Sequence, residues 1–123
     1  MEFSDIQLAA ALKVGHAMVE ADGQTNPAEV EVLFGGLSER LATAEIQEEI
    51  ERMATRMEFA EMLAILSDMT EGHKRYIAGY LASIMVSDSD IDEMEVRLWR
   101  LISNMCGFPK MTVREAVEFW ASH

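Results

Sequence analysis

Residues 21–30 read Ala21-Asp22-Gly23-Gln24-Thr25-Asn26-Pro27-Ala28-Glu29-Val30, and 66 positions later the chain reads Ser87-Asp88-Ser89-Asp90-Ile91-Asp92-Glu93-Met94-Glu95-Val96. Asp22 matches Asp88, Glu29 matches Glu95 and Val30 matches Val96, while Asn26 and Asp92 are interchangeable as helix caps. Each copy reads as a polar turn that joins a hydrophobic helix to a capped amphipathic one. Pro27 stands at the first helical position, where its missing N–H would be unpaired in any case. A repeat at one fixed offset predicts two pseudo-symmetric helix-turn-helix halves.

Outward from these turns, the chain is rich in Ala, Leu, Glu, Met and Arg, the better helix formers. Four pairs carry the capping-box spacing: Ser4 with Gln7, Asn26 with Glu29, Asp92 with Glu95 and Thr112 with Glu115. The fold class read from them is all-α, a compact bundle of about seven helices. They are placed at about residues 4–21, 27–41, 44–55, 58–69, 71–87, 93–106 and 113–121. Tyr76, Ile77, Tyr80, Leu81, Ile84 and Met85 cover most of the fifth helix, which predicts a central position for it. The first helix has the same character, and Gly107-Phe108-Pro109 reads as a helix stop, while Gly35-Gly36 reads as a close helix crossing, a local break or a C-terminal cap, with close packing the favoured reading.

A chain of 123 residues fits one domain. Its net charge of −12 argues against a nucleic-acid surface, which needs clustered Lys and Arg. No apolar run reaches the ~20 residues of a membrane span, and acids at Glu2 and Asp5 stand where a secretory leader has a basic start. Cys106 is the one cysteine, so no intramolecular disulfide and no Cys/His zinc cluster can form; the expected compartment is the cytoplasm.

The second turn is the more acidic, with Asp88, Asp90, Asp92, Glu93 and Glu95 inside eight residues. Such oxygen-rich clusters suit hard divalent cations such as calcium or magnesium. It is not an EF-hand: a loop begun at Asp88 puts Glu93 in the place of the turn glycine and Trp99 in the place of the bidentate glutamate. Capping and the helix dipole give the same acids a second reading, as caps and solvated charge. They leave over Asp22, Asp88 and Asp90, whose crowding near Asp92 raises a repulsion that a bound cation would relieve.

Ala21-Asp22-Gly23 followed by Pro27-Ala28-Glu29, and Ser87-Asp88-Ser89-Asp90-Ile91-Asp92 followed by Glu95, Leu98 and Trp99, resemble the two acidic motifs of the tellurite-resistance TerB-like family. The resemblance covers most of the chain. It implies a small all-helical bacterial domain with a divalent-cation site built from motif acids. Those acids are Asp22 and Glu29 in one half and Asp88, Asp92 and Glu95 in the other, to which the donor chemistry adds Asp90. It further implies a role in metal or chemical stress, alongside protein partners that include membrane-associated ones.

The function expected is therefore non-enzymatic binding, of a divalent cation at the paired turns. The alternative is a structural or adaptor module without metal, in which the acids only cap helices. No Gly-rich phosphate loop, nucleophile elbow or His-Glu-x-x-His motif is present. His16 and Glu20 share a helix face, His73 sits beside Lys74 and Arg75, and His123 is expected to be loose. Met53, Met57, Met62 and Met69 read either as an adaptable surface or as core filler, and Cys106 as a small buried side chain. Charge is uneven, −9 over the first 61 residues and −3 over the rest, which makes the first part a solvated face or a landing surface for a basic partner.

Overall fold

Seven caps open seven helices in the structure, a computed structural model that describes residues 2–21, 23, 26–37, 39–87 and 91–123. They are α1 (Asp5–Glu20), α2 (Pro27–Gly35), α3 (Ala44–Arg56), α4 (Phe59–Ser67), α5 (Glu71–Val86), α6 (Glu93–Met105) and α7 (Val113–Ala121). Ser4, Thr43, Thr70 and Thr112 each accept a bond from a backbone N–H three residues on, satisfying donors that the first helical turn leaves over. The described residues contain no strand, and no helix of theirs is long and apolar enough to cross a membrane.

The offset of 66 runs through whole helices. Moved by 66 residues, α1 falls on α5 from end to end, and the start of α2 falls on the start of α6. α3 moved in the same way covers α7. Among the described residues the fold is thus a three-helix unit that recurs at this offset, with α4 joining the first unit to the second. Packing repeats with it. α1 lies against α2 and α3, α5 lies against α6 and α7, the two long helices pack on each other, and α2 and α6 each also touch the opposite long helix.

Every residue from Tyr76 to Met85 is buried, so α5 is central as its sequence predicts, and α1 buries Leu8–Leu12, Val14, Met18 and Val19 beside it. Contact between α5 and α7 is closest at Gly79. A Cβ there would strike the Ala116 carbonyl and lie 2.5 Å from Trp120 Cβ. Met57, Met62 and Met69 are buried and Met53 packs against the core, so these methionines are filler; the exposed ones are Met94 and Met105 on α6.

Three expectations are corrected. α2 stops at Gly35, short of residue 41, because α5 holds its end: the Tyr80 hydroxyl donates to the Leu33 carbonyl (2.5 Å) and the Tyr76 hydroxyl to that of Gly36 (3.3 Å). The close crossing favoured at Gly35-Gly36 is made by Gly36 alone, which is also the C-cap of α2: a Cβ there would lie 3.0 Å from the Tyr80 ring of α5. A Cβ on Gly35 would meet nothing within 4 Å. His123 is not loose: its ring stacks on Phe119 at 4.0 Å, with Nδ1 2.8 Å from the Phe119 carbonyl oxygen.

Candidate functional site

Two of the expected capping boxes serve another end. Asn26 caps α2 by accepting from the Ala28 N–H (2.8 Å), and Asp92 Oδ1 caps α6 by accepting from the N–H groups of Met94 (2.7 Å) and Glu95 (3.4 Å). The glutamates three residues on do not stand in solvent as Glu61 and Glu115 do in the closed boxes of α4 and α7. Glu29 is 1% and Glu95 2% exposed, the only buried acids among the described residues, and they occupy matched positions of the repeat. Burying a carboxylate is costly unless it is partnered, and neither of these is without a partner.

Asp22, Asp88 and Asp90 lie outside the described residues, as do Gln24, Thr25 and Ser89. Of the six candidate ligands the structure therefore locates Glu29, Asp92 and Glu95, each in the first turn or cap of its helix. The described residues hold no group of three His, Cys, Asp or Glu side chains arranged for a metal. The flanks of the two turns do approach each other. Ala28, in the first turn of α2, and Ser87, which ends α5, line one groove.

That groove, about 730 Å³, runs between α2, α5 and α7. Val32, Val86, Val117 and Trp120 give it an apolar floor, and exposed Glu31 and Glu39 stand on its α2 side. At one end the Arg40 guanidinium lies 4.4 Å from the centre of the Tyr76 ring and 5.5 Å from that of Phe3. Burial raises the Tyr76 phenol pKa; Arg40 and the Trp120 indole oppose the rise and Glu39 adds to it. At the other end Ser83 is 7% exposed and its hydroxyl has no partner among the described residues. Sequence reasoning missed this site, although Gly35, a weak helix former inside a helical pattern, was a signal for it.

The remaining residues have structural roles. His16 meets Phe34 edge-on at 5.7 Å and lines a second depression with Lys13 and Glu20. His73 stacks on Phe3 at 4.3 Å. Cys106 is buried as expected, its Sγ 3.7 Å from the Leu63 carbonyl, and burial pushes the thiol pKa up, away from the reactive thiolate.

No family model and no curated protein matches the chain significantly. A solved structure does: a crystal structure of a protein of unknown function from Porphyromonas gingivalis W83, 36% identical, aligned over 100% of this chain and 99% of that one with a TM-score of 0.87. Identity at that level over the full length of both shows common descent as well as a common fold, and the chain belongs to the same family as this Porphyromonas gingivalis protein.

Proposed function

We propose that the protein is a non-enzymatic binding domain of TerB-like type that takes a divalent cation at its two acidic turns and serves a response to metal or chemical stress in the cytoplasm. The observation that carries this reading is the matched burial of Glu29 and Glu95. A glutamate that only closed a capping box would sit in solvent; two buried ones at positions 66 apart point to a need that both turns share. The donor set is all oxygen, which favours calcium or magnesium over softer metals. Asp22, Asp88, Asp90 and Asp92 would supply carboxylate oxygens, with Glu29 and Glu95 as ligands or as the carboxylates behind them. Asp92 caps α6 through Oδ1 alone, so its second oxygen suits a metal. The cation's own role is charge neutralisation where carboxylates crowd.

Calorimetric titration of chelator-stripped protein with calcium, magnesium, manganese and zinc tests the reading. Saturable binding with a raised Tm is expected, and at a hundredfold excess over Kd the native state gains about 2.7 kcal/mol. Replacing Asp22→Asn and Asp88→Asn together should abolish binding and leave the fold intact. Unchanged heats and melting for every ion would return the acids to plain capping, where Asp92→Ala costs about 0.5–2 kcal/mol with or without metal.

A further inference from the structure

A second depression, about 560 Å³, lies where α1, α2 and α3 end. The last two turns of α1 line it with Lys13, His16, Ala17 and Glu20, and those of α3 with Glu51, Ala54 and Thr55. Phe34 comes from the last turn of α2, and Phe59, 46% exposed, from the start of α4. The His16 ring meets that of Phe34 edge-on at 5.7 Å, so three aromatic rings and two carboxylates share one cavity. We infer that this cavity binds a small organic cation that carries a quaternary ammonium group.

The repeat shows that packing does not call for these two acids. Moved by 66 residues, Glu20 falls on Val86 and Glu51 on Val117, so the matched helices carry valine where α1 and α3 carry glutamate. The ion pairs of the described residues involve neither carboxylate. Lys13, the one base of the lining, is engaged by the end of α3: its Nζ donates to the Ala54 carbonyl at 3.3 Å. α1 has no basic residue in its last turn, and the partial negative charge of its C-terminus adds to that of the acids. Such a site draws a cation, and the rings decide which kind. A quaternary ammonium group is attracted to aromatic faces, whereas calcium or magnesium needs a set of oxygen ligands gathered round one point. The described residues hold no such group of three, and a cavity of about 560 Å³ has the size of an organic ligand. None of these residues belongs to the acidic turns, so the inference does not depend on the reading of those turns as a divalent-cation site.

Choline is the probe, titrated by calorimetry into the intact protein in chelator at low salt. Saturable binding is expected, about tenfold or more tighter than that of neohexanol, which keeps the shape with carbon in place of the charged nitrogen. Ammonium ion, which has the charge without the methyl groups, should be weaker by a similar factor. Glu20→Gln together with Glu51→Gln should weaken choline about tenfold and keep the melting curve. Phe59→Leu retains apolar bulk without the ring and should weaken choline severalfold. Glu31→Gln with Glu39→Gln, beside the other groove, should change nothing, and neither should Asp22→Asn with Asp88→Asn at the acidic turns. Absence of saturation up to millimolar choline, parity with neohexanol or ammonium, or indifference to the Glu20 and Glu51 pair would overturn the inference. So would a loss of choline binding through either control pair, since the cation would then sit elsewhere on the protein.

Discussion

The two three-helix units agree at their starts and part at their ends. Both turns lead into a capped helix with a buried glutamate in its first turn. Beyond that point α2 is cut off after nine residues, its end held by Tyr80 and Tyr76, whereas α6 continues for thirteen to Met105. Gly35 in one corresponds to Leu101 in the other, which is 53% exposed. What the halves share is the turn and its buried glutamate, and what they do not share is how far the helix after it runs.

The strongest way to break the comparison is to remove the matched glutamates one at a time. Glu29→Ala and Glu95→Ala should each cost ~3 kcal/mol, the upper end of the penalty for leaving a buried polar partner unsatisfied, since in each case a buried group loses a carboxylate. Denaturant unfolding measures both, and a cost confined to one half would end the equivalence of the two turns. The helix ends come next. Gly36→Ala should cost ~2 kcal/mol by forcing Tyr80 or the Val32 carbonyl to move. Gly107→Ala, after α6, should cost ~1 kcal/mol, because the glycine has φ +68° and, although a Cβ would meet only Lys74 Nζ at an ordinary 3.5 Å, a side chain must strain to adopt that backbone.

The smallest effect separates α7 from α3. Glu115 accepts from the Thr112 N–H at 3.0 Å, and this bond, with the Thr112 hydroxyl, holds its carboxyl pKa below the usual range. A pKa lowered by folding contributes stability that is present at neutral pH and lost as pH falls through the folded value. Thr43 caps α3 alone, with Ile46 where an acid would complete the box. Acidification should therefore lower the amide protection factors, rates taken relative to intrinsic exchange at the same pH, at the start of α7 and not of α3, and Glu115→Gln should remove that difference.

Helix starts were legible in the sequence because caps are local: one side chain meets one N–H two or three residues away, and six of the seven first turns carry such a side-chain bond. The end of α2 was not, since it is set by tyrosines 40 and 47 positions later, in a different helix. The repeat was legible as a motif of ten residues, but its true extent required helix boundaries on both sides. The burial of Glu29 and Glu95 was hidden for a related reason. Capping accounted for both glutamates by spacing alone, and spacing does not say which face of a first turn points inward. The groove was least legible, because its walls come from α2, α5 and α7, helices far apart in the sequence.

Placing α1 against α2 and α3, and α5 against α6 and α7, keeps much of the packing between neighbours in the chain. Short separations mean little loop-closure entropy, so each unit can gather early and cheaply, as in other helical proteins of low contact order. The long helices α1 and α5 are then the surface on which the two units meet.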